Sequence, residues 1–289
     1  MKDIGFITPR TRFCMLIGNP VGHSLSPAIH NAAFAATGQD FVYLACPVED
    51  VANALAGMRA LGNFRGMSIT IPHKIEAMKY VDEIAAVDRA IGSINTVICE
   101  EGKLIGSGTD GPGALKALVD AGVDLAAKKV LILGCGGAAR AIAFTLAQRC
   151  TLAEMIMLDI NQTLLEDLTA DLRAGTACPI SHAALNAETI AAAMARAEVI
   201  IQCTPIGMHP KVDVSLVPAE LFRPGQVAFD VVYNPLETRF LREAKAAGVQ
   251  TISGVEMFIN QAVLQFELFT GVDAPCAVMR QVVMEQLRA

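Results

Sequence analysis

One segment constrains this chain more than any other: KVLILGCGGAARA, residues 129–141, where an apolar strand runs directly into a glycine-rich turn. Continuous apolar character from Val130 to Leu133 suits a strand buried on both faces, as in a parallel sheet. The pattern Gly134-x-Gly136-x-x-Ala139 follows at once and opens a helix. Gly134 permits a tight turn, Gly136 lets a backbone approach a pyrophosphate, and Ala139 lets helix and strand pack closely. The helix start also offers unpaired N–H groups and a positive dipole end to phosphate. A turn of this kind can be a plain βα connection, so the next strand matters. EMIMLD ends at Asp159, where a dinucleotide-binding fold places the acid that holds a ribose hydroxyl. Asp159 is equally suited to cap the helix QTLLEDL, and the two roles are compatible.

The rest of the chain repeats this alternation of short apolar runs and helical patterns, which indicates an α/β protein with parallel strands. FCMLIG, FVYLAC, GMSITI and NTVICE are strand candidates before residue 100, and EVIIQCT, QVAFDVV and VQTIS follow the glycine-rich turn. NTVICEEGKLIG is expected to form a hairpin turning at Glu100 to Lys103, and IEAMKYVDEIAAVDRAI a helix. With 289 residues, two domains are expected. Residues 1–110 and 255–289 would form an α/β domain, with the last helices packing back on it. Residues 111–254 would form a Rossmann-type domain.

Composition excludes other classes. At 53% hydrophobic and 18% charged the chain can bury a core, so wholesale disorder is ruled out. A net charge of −6 argues against nucleic acid as a partner. The uncharged stretch Phe13–Gln39 is broken by Pro20, Pro27 and three glycines, so it is not expected to span a membrane. The start, MKDIGFITPRTRF, lacks the apolar run of a signal peptide, so a cytoplasmic location is expected. The eight cysteines form no CxxC pair, and neither they nor the histidines have metal-site spacing; no metal is expected.

Three polar segments stand out. Ser24 and Ser26 precede a helix with Pro27 in its first turn. They could cap it, or serve a carboxylate ligand at its N-terminus. Lys74 follows the strand GMSITI, and Asn95, Thr96 and Asp110 sit at the starts of elements. Alone, each would be a surface, cap or turn residue. Ser26, Lys74 and Asp110 share a position after candidate strands, and ligands gather at the carboxyl ends of strands in open α/β sheets.

The motifs GNPVGHSLSPAIHN, ITIPHK, GSINTV, TDGPG, LGCGGAARA, CTPIGM, DVVYNPLET and GVEMFINQA occur in this order, and the chain resembles the shikimate dehydrogenase family, its shikimate/quinate members included. That resemblance implies an NAD(P)-dependent alcohol dehydrogenase for a small carboxylate substrate, shikimate first and quinate second, working as a monomer or homodimer in aromatic biosynthesis. It implies Ser24 and Ser26 on the substrate carboxylate and Lys74 with Asp110 as the catalytic pair. Thr70 and Asn95 would hold ring hydroxyls, with Gln261 and Tyr233 also lining the site. Gly134, Gly136 and Gly137 would carry the pyrophosphate, with Thr204 and Gly254 near the nicotinamide. An ammonium group suits proton donation in the ketone-to-alcohol direction. Ser68 stands where many members have Asn, and Gly108 where many read Asn in NTDG; both bear on the preferred ring substituents. Alternatives are a relative acting on an aminoshikimate-type acid, and a nucleotide-binding regulator that lost catalysis. Intact Lys74 and Asp110 argue against the regulator.

The cofactor is expected to be NAD, with NADP less favoured. No Arg or Lys lies between Leu158 and Leu172, and Asp159 would oppose a 2′-phosphate. Two like charges about 4 Å apart cost about 4 kcal/mol at an effective dielectric near 20. Arg140 is the nearest basic residue that could reverse this.

Overall fold

A computed structural model describes residues 7–288, so Lys2 and Asp3 of the charged start lie outside the described residues. The chain divides into two compact units, one formed by residues up to Thr109 and from Gln261 onward, the other by Asp110–Asn260.

The first unit contains β1 (Arg12–Gly18), α1 (Ser26–Thr37), β2 (Phe41–Pro47), α2 (Val51–Arg59), β3 (Phe64–Ile69), β4 (Glu83–Ile84), α3 (Ala86–Ile91), β5 (Thr96–Glu100) and β6 (Lys103–Ser107). Its sheet has the order β2-β1-β3-β5-β6-β4. β1 is parallel to β2 and β3, but β5 runs antiparallel to both β3 and β6. The sheet is therefore mixed, with the antiparallel pairing of β5 and β6 supplied by the expected hairpin. The expected hairpin forms, with Glu101 and Gly102 at φ 50° and 79° supplying its left-handed turn. Met15, Ile17, Leu55, Met67, Ile69, Val97 and Leu104 fill the core beneath it.

The segment expected as one helix after Lys74 is broken. A 3₁₀ turn (Glu76–Tyr80), β4 and α3 replace it. Asp82 explains the break. Its carboxylate accepts from Arg59 at 2.8 Å and from the Leu104 N–H at 2.8 Å, and its own N–H donates to the Leu104 carbonyl at 2.8 Å. These bonds draw the chain to the sheet edge, where β4 pairs with β6.

The second unit contains α4 (Asp110–Asp120), β7 (Lys129–Leu133), α5 (Gly137–Arg149), β8 (Glu154–Asp159), α6 (Gln162–Gly175), β9 (Ile180–Ala184), α7 (Ala187–Arg196), β10 (Val199–Gln202), β11 (Val227–Asp230), α8 (Arg239–Ala246) and β12 (Gln250–Ile252). All six strands are parallel in the order β12-β11-β10-β7-β8-β9. Counted along the chain this is 3-2-1-4-5-6 from the β9 edge, the Rossmann arrangement. Leu131, Leu133, Ile156, Leu158, Ile200, Ala228 and Phe240 form its core. α9 (Gly254–Thr270) starts in this unit and ends in the first, where α10 (Cys276–Arg288) also belongs. Within the first unit, Phe266 of α9 packs on Phe34 of α1, ring centroids 5.4 Å apart.

Candidate active site

In the first unit, strand direction gathers the candidate residues at one end of the inner strands. β1 and β3 end there, antiparallel β5 begins there, and Ser68 pairs with Thr96 across that junction. Ser24 and Ser26 follow β1, Thr70 and Lys74 follow β3, and Asn95 precedes β5. The N-cap of α1 is Leu25, which makes no side-chain cap bond. Ser24 Oγ accepts from the Ser26 N–H at 3.2 Å, and Ser26 is buried. Neither serine is thus used as an ordinary N-cap. The Lys74 carbonyl accepts from Ile94 N–H at 3.0 Å, and the Asn95 carbonyl accepts from Ile69 N–H at 2.8 Å. The backbones that carry Lys74 and Asn95 are in this way tied together.

Asn95 itself is 4% exposed. Its Oδ1 accepts from the Thr109 N–H at 2.7 Å and from Thr96 Oγ1 at 3.1 Å, while its Nδ2 donates to Thr109 Oγ1 at 2.9 Å. Gln261 is 8% exposed on α9. Ser68, a departure from the family pattern, is buried and bonded to Tyr43 and Gln265.

In the second unit, Gly134, Asp159, Thr204, Tyr233 and Gly254 all follow carboxyl ends of parallel strands, and Asp110 opens α4. Gly134 has φ 99°, and a Cβ there would sit 3.0 Å from Thr204 Cγ2, so glycine is required where β7 and β10 part. A Cβ on Gly254 would meet the Val231 and Val232 carbonyls at 2.5 Å. Tyr233 stacks on Phe258, centroids 4.6 Å apart, and burial raises its hydroxyl pKa.

The glycine-rich turn fits a dinucleotide. Gly136, extended at φ −69°, ψ −176°, is the N-cap of α5 and supplies no side-chain cap. A Cβ built on Gly136 meets nothing within 4 Å. Uncapped N–H groups beneath open space are what a pyrophosphate needs.

Asp159 differs from expectation. Its Oδ2 accepts from the Cys135 N–H at 2.5 Å and its Oδ1 from the Asn161 N–H at 2.7 Å. The cap of α6 is Asn161, whose Oδ1 accepts from Leu164 N–H at 3.1 Å. The carboxylate therefore binds the glycine-rich turn and does not cap the helix. Arg140 donates to Asp171 of α6 and lies over the Phe144 ring.

Sequence reasoning missed Gln202. This buried residue accepts from Thr204 N–H at 2.5 Å and Thr204 Oγ1 at 2.6 Å. It donates to the carbonyls of Thr204 and Ile206 and to Asp230 Oδ1 at 3.3 Å. It fixes the CTPIGM loop, and only its buried place in an apolar strand could have drawn attention to it.

Comparison with known proteins places the chain. A family model described as the shikimate dehydrogenase substrate binding domain matches residues 16–97, and one described as the shikimate 5′-dehydrogenase C-terminal domain matches residues 254–284. The shikimate dehydrogenase (NADP(+)) of Moorella thermoacetica is 43% identical over 282 residues, 96% of this chain and 95% of that protein. That of Methanosarcina acetivorans is 41% identical over 279 residues, 95% of this chain and 98% of that protein. The shikimate 5-dehydrogenase of Listeria monocytogenes, solved in complex with shikimate and NAD, superposes with a TM-score of 0.90 at 34% identity, covering 96% of this chain and 98% of that one. The fold and these relatives define an oxidoreductase acting on a secondary alcohol. The chain belongs to the shikimate dehydrogenase family.

The expectation of NAD over NADP is corrected. Eight relatives, 38–43% identical, are named as NADP(+) enzymes. The inference rested on Asp159 presenting a free carboxylate to the ribose. Both of its oxygens instead take backbone N–H groups, so the carboxylate is engaged by the glycine-rich turn and by the chain entering the next helix, and it is not a measure of 2′-phosphate rejection. Among the described residues no helix is long and apolar enough to cross a membrane.

Proposed function

We propose that this protein interconverts shikimate and its 3-dehydro ketone, with NADP(H) as the dinucleotide. The observation that carries the reading is the gathering of Ser24, Ser26, Thr70, Lys74 and Asn95 at the carboxyl ends of β1 and β3 and the start of β5, in a chain about 40% identical along nearly its full length to named shikimate dehydrogenases. When bound, the nicotinamide supplies or accepts the hydride. The protein does the rest. Ser24 and Ser26 hold the carboxylate beside the start of α1, where the helix dipole favours an anion. Thr70, Asn95, Gln261 and Tyr233 fix the ring. Lys74 Nζ gives the proton to the forming alkoxide in reduction and takes it back in oxidation, with Asp110 orienting it. Gly134, Gly136 and Gly137 receive the pyrophosphate, with Asp159 holding their turn and Thr204 and Gly254 toward the nicotinamide. The first unit is the substrate-binding domain and the second the dinucleotide-binding domain. The protein works in the cytoplasm as a monomer or homodimer, and its charge of −6 argues against a nucleic-acid partner.

The test is a panel of initial rates with NADP⁺ and NAD⁺, each with shikimate and quinate. Shikimate with NADP⁺ should give the highest kcat/KM. No dinucleotide reduction with either acid would refute the reading and favour a regulator that lost catalysis.

A further inference from the structure

Behind Asn95 lies a buried chain of polar groups, of which Tyr43 and Gln265 lie outside the family motifs quoted above. Tyr43 Oη donates to Ser68 Oγ at 2.6 Å, and Ser68 Oγ donates to Gln265 Oε1 at 2.8 Å. Gln265 Nε2 donates to Thr96 Oγ1 at 3.0 Å, and Thr96 Oγ1 donates to Asn95 Oδ1 at 3.1 Å. Every member is nearly or fully buried: Tyr43 is 1% exposed, Ser68 4%, Gln265 2% and Thr96 0%.

The chain has one polarity from end to end. Tyr43 fills an acceptor site on Ser68, so the serine hydrogen turns to Gln265. The Gln265 oxygen is then committed to Ser68, so its NH₂ must face Thr96. A donor on Thr96 Oγ1 in turn points the threonine hydrogen at Asn95 Oδ1. That oxygen also takes the Thr109 N–H at 2.7 Å, so both of its lone pairs are used. Reversing the Asn95 amide would set its NH₂ against two donors and leave a buried polar group unpaired. An amide locked in this way meets a ring hydroxyl as a donor and not as an acceptor.

We propose that Gln265, with Ser68 and Tyr43 behind it, is a positioning residue that locks the Asn95 amide in one orientation and thereby sets the enzyme's discrimination for the ring hydroxyl that Asn95 holds. The proposal rests on Asn95 being a substrate residue, as read above. It accounts for Ser68 in this chain: a short hydroxyl can accept from Tyr43 and donate to Gln265 within the space between β3 and α9.

The experiment is a double-mutant cycle with Gln265→Met and Asn95→Ala, read as kcat, KM for shikimate and KM for NADP⁺. Gln265→Met keeps the volume and removes three hydrogen bonds, the one from Ser68, the one to Thr96 Oγ1 and one to the Asn95 backbone carbonyl at 3.3 Å. It should lower kcat/KM for shikimate about 5- to 30-fold, the worth of one or two buried neutral hydrogen bonds, and leave the NADP⁺ KM within about twofold. In the Asn95→Ala background the same change should cost less than about twofold, because its effect runs through Asn95. If Gln265→Met lowers only the melting temperature, or its kinetic loss persists undiminished without Asn95, the positioning role is overturned. If Asn95→Ala alone leaves shikimate kinetics intact, Asn95 is not a substrate residue and both readings fall. Should Gln265→Met not fold, Tyr43→Phe runs the same cycle with the same criteria, since it removes one hydroxyl and keeps the ring.

Discussion

Asp159 Oδ2 accepts from the Cys135 N–H at 2.5 Å, across the gap between the second Rossmann strand and the first glycine-rich turn. A second bond from the Asn161 N–H engages its other oxygen. The charge also acts on Cys135, whose thiol is pushed up to about 12 by burial and by the nearby carboxylate. Asp159→Ala would leave the N–H of buried Cys135 without its acceptor, at about 1–3 kcal/mol, while the exposed Asn161 N–H can turn to water. The variant should melt several degrees lower and show a higher KM for NADP⁺, with the KM for shikimate nearly unchanged. Thermal melts and steady-state kinetics on one preparation check this. An unchanged melt with unchanged cofactor KM would mean that the turn holds its shape without the carboxylate.

Lys74 and Asp110 are expected to act as one catalytic unit. Lys74→Ala should lower kcat by about 10²–10⁴-fold without unfolding the protein. Adding Asp110→Asn should cost far less than the product of the two single losses, because residues that act together are not additive. Retention of more than about half the wild-type kcat in Lys74→Ala would remove the lysine from the mechanism.

For Ser24 and Ser26, the structure separates two possible losses. The α1 N-cap is Leu25 with no side-chain cap bond, so removing the hydroxyls takes away no ordinary cap. The double alanine variant should keep its melting temperature within a degree or two. Its KM for shikimate should rise strongly while the KM for NADP⁺ stays put, since each charge-assisted bond to a carboxylate contributes about 1.5–3 kcal/mol. A lower melting temperature with an unchanged shikimate KM would assign the serines to helix stability alone.

Asp230, fully buried at the end of β11, makes stability depend on pH in a direction opposite to most carboxylates. Burial pushes its pKa up to about 6 from 3.8, against the bonds it accepts from Thr238 at 2.6 Å, Val232 N–H at 3.0 Å and Gln202 at 3.3 Å. The adjoining Cys203 thiol is itself driven upward by burial and by Asp230, and stays neutral there. Between the unfolded and folded values the native state holds more protons than the unfolded chain. The contribution of Asp230 to stability is therefore complete below about pH 4 and is lost as pH rises through about 6. Asp230→Asn removes this titration. The stability of wild type relative to the variant should fall from pH 4 to pH 7, by at most about 3 kcal/mol, in denaturant melts at each pH. A constant difference would show that Asp230 is ionised in the native state throughout.

What the sequence made legible was set by local backbone rules. The turn at Gly134 needs a positive φ, the hairpin at Glu101 and Gly102 needs left-handed residues, and the periodicity of the second half is that of alternating buried strands and helices. Partners far apart in the chain were not legible. Nothing near Ser68 announces a bond to Gln265, 197 positions away, and nothing near residues 76–91 shows that Leu104 will hold Asp82 at the sheet edge and break the helix. Asp159 was visible, but its backbone partners were not. A carboxylate at a strand end has lone pairs for backbone N–H groups as well as for a ribose hydroxyl, and only the folded turn shows the N–H groups of Cys135 and Asn161 on it.

The division of α9 has a consequence for biosynthesis. The Rossmann unit is one uninterrupted run of chain, whereas the unit that precedes it lacks the second half of α9 and all of α10 until residues 261–288 have been made. Those residues carry Phe266 and Phe269, which pack on Phe34 and Tyr43, and the helix that lies on α1. A nascent chain thus emerges with its first sheet uncovered and must complete its middle before its beginning. The last helices to leave the ribosome close a core laid down at the start.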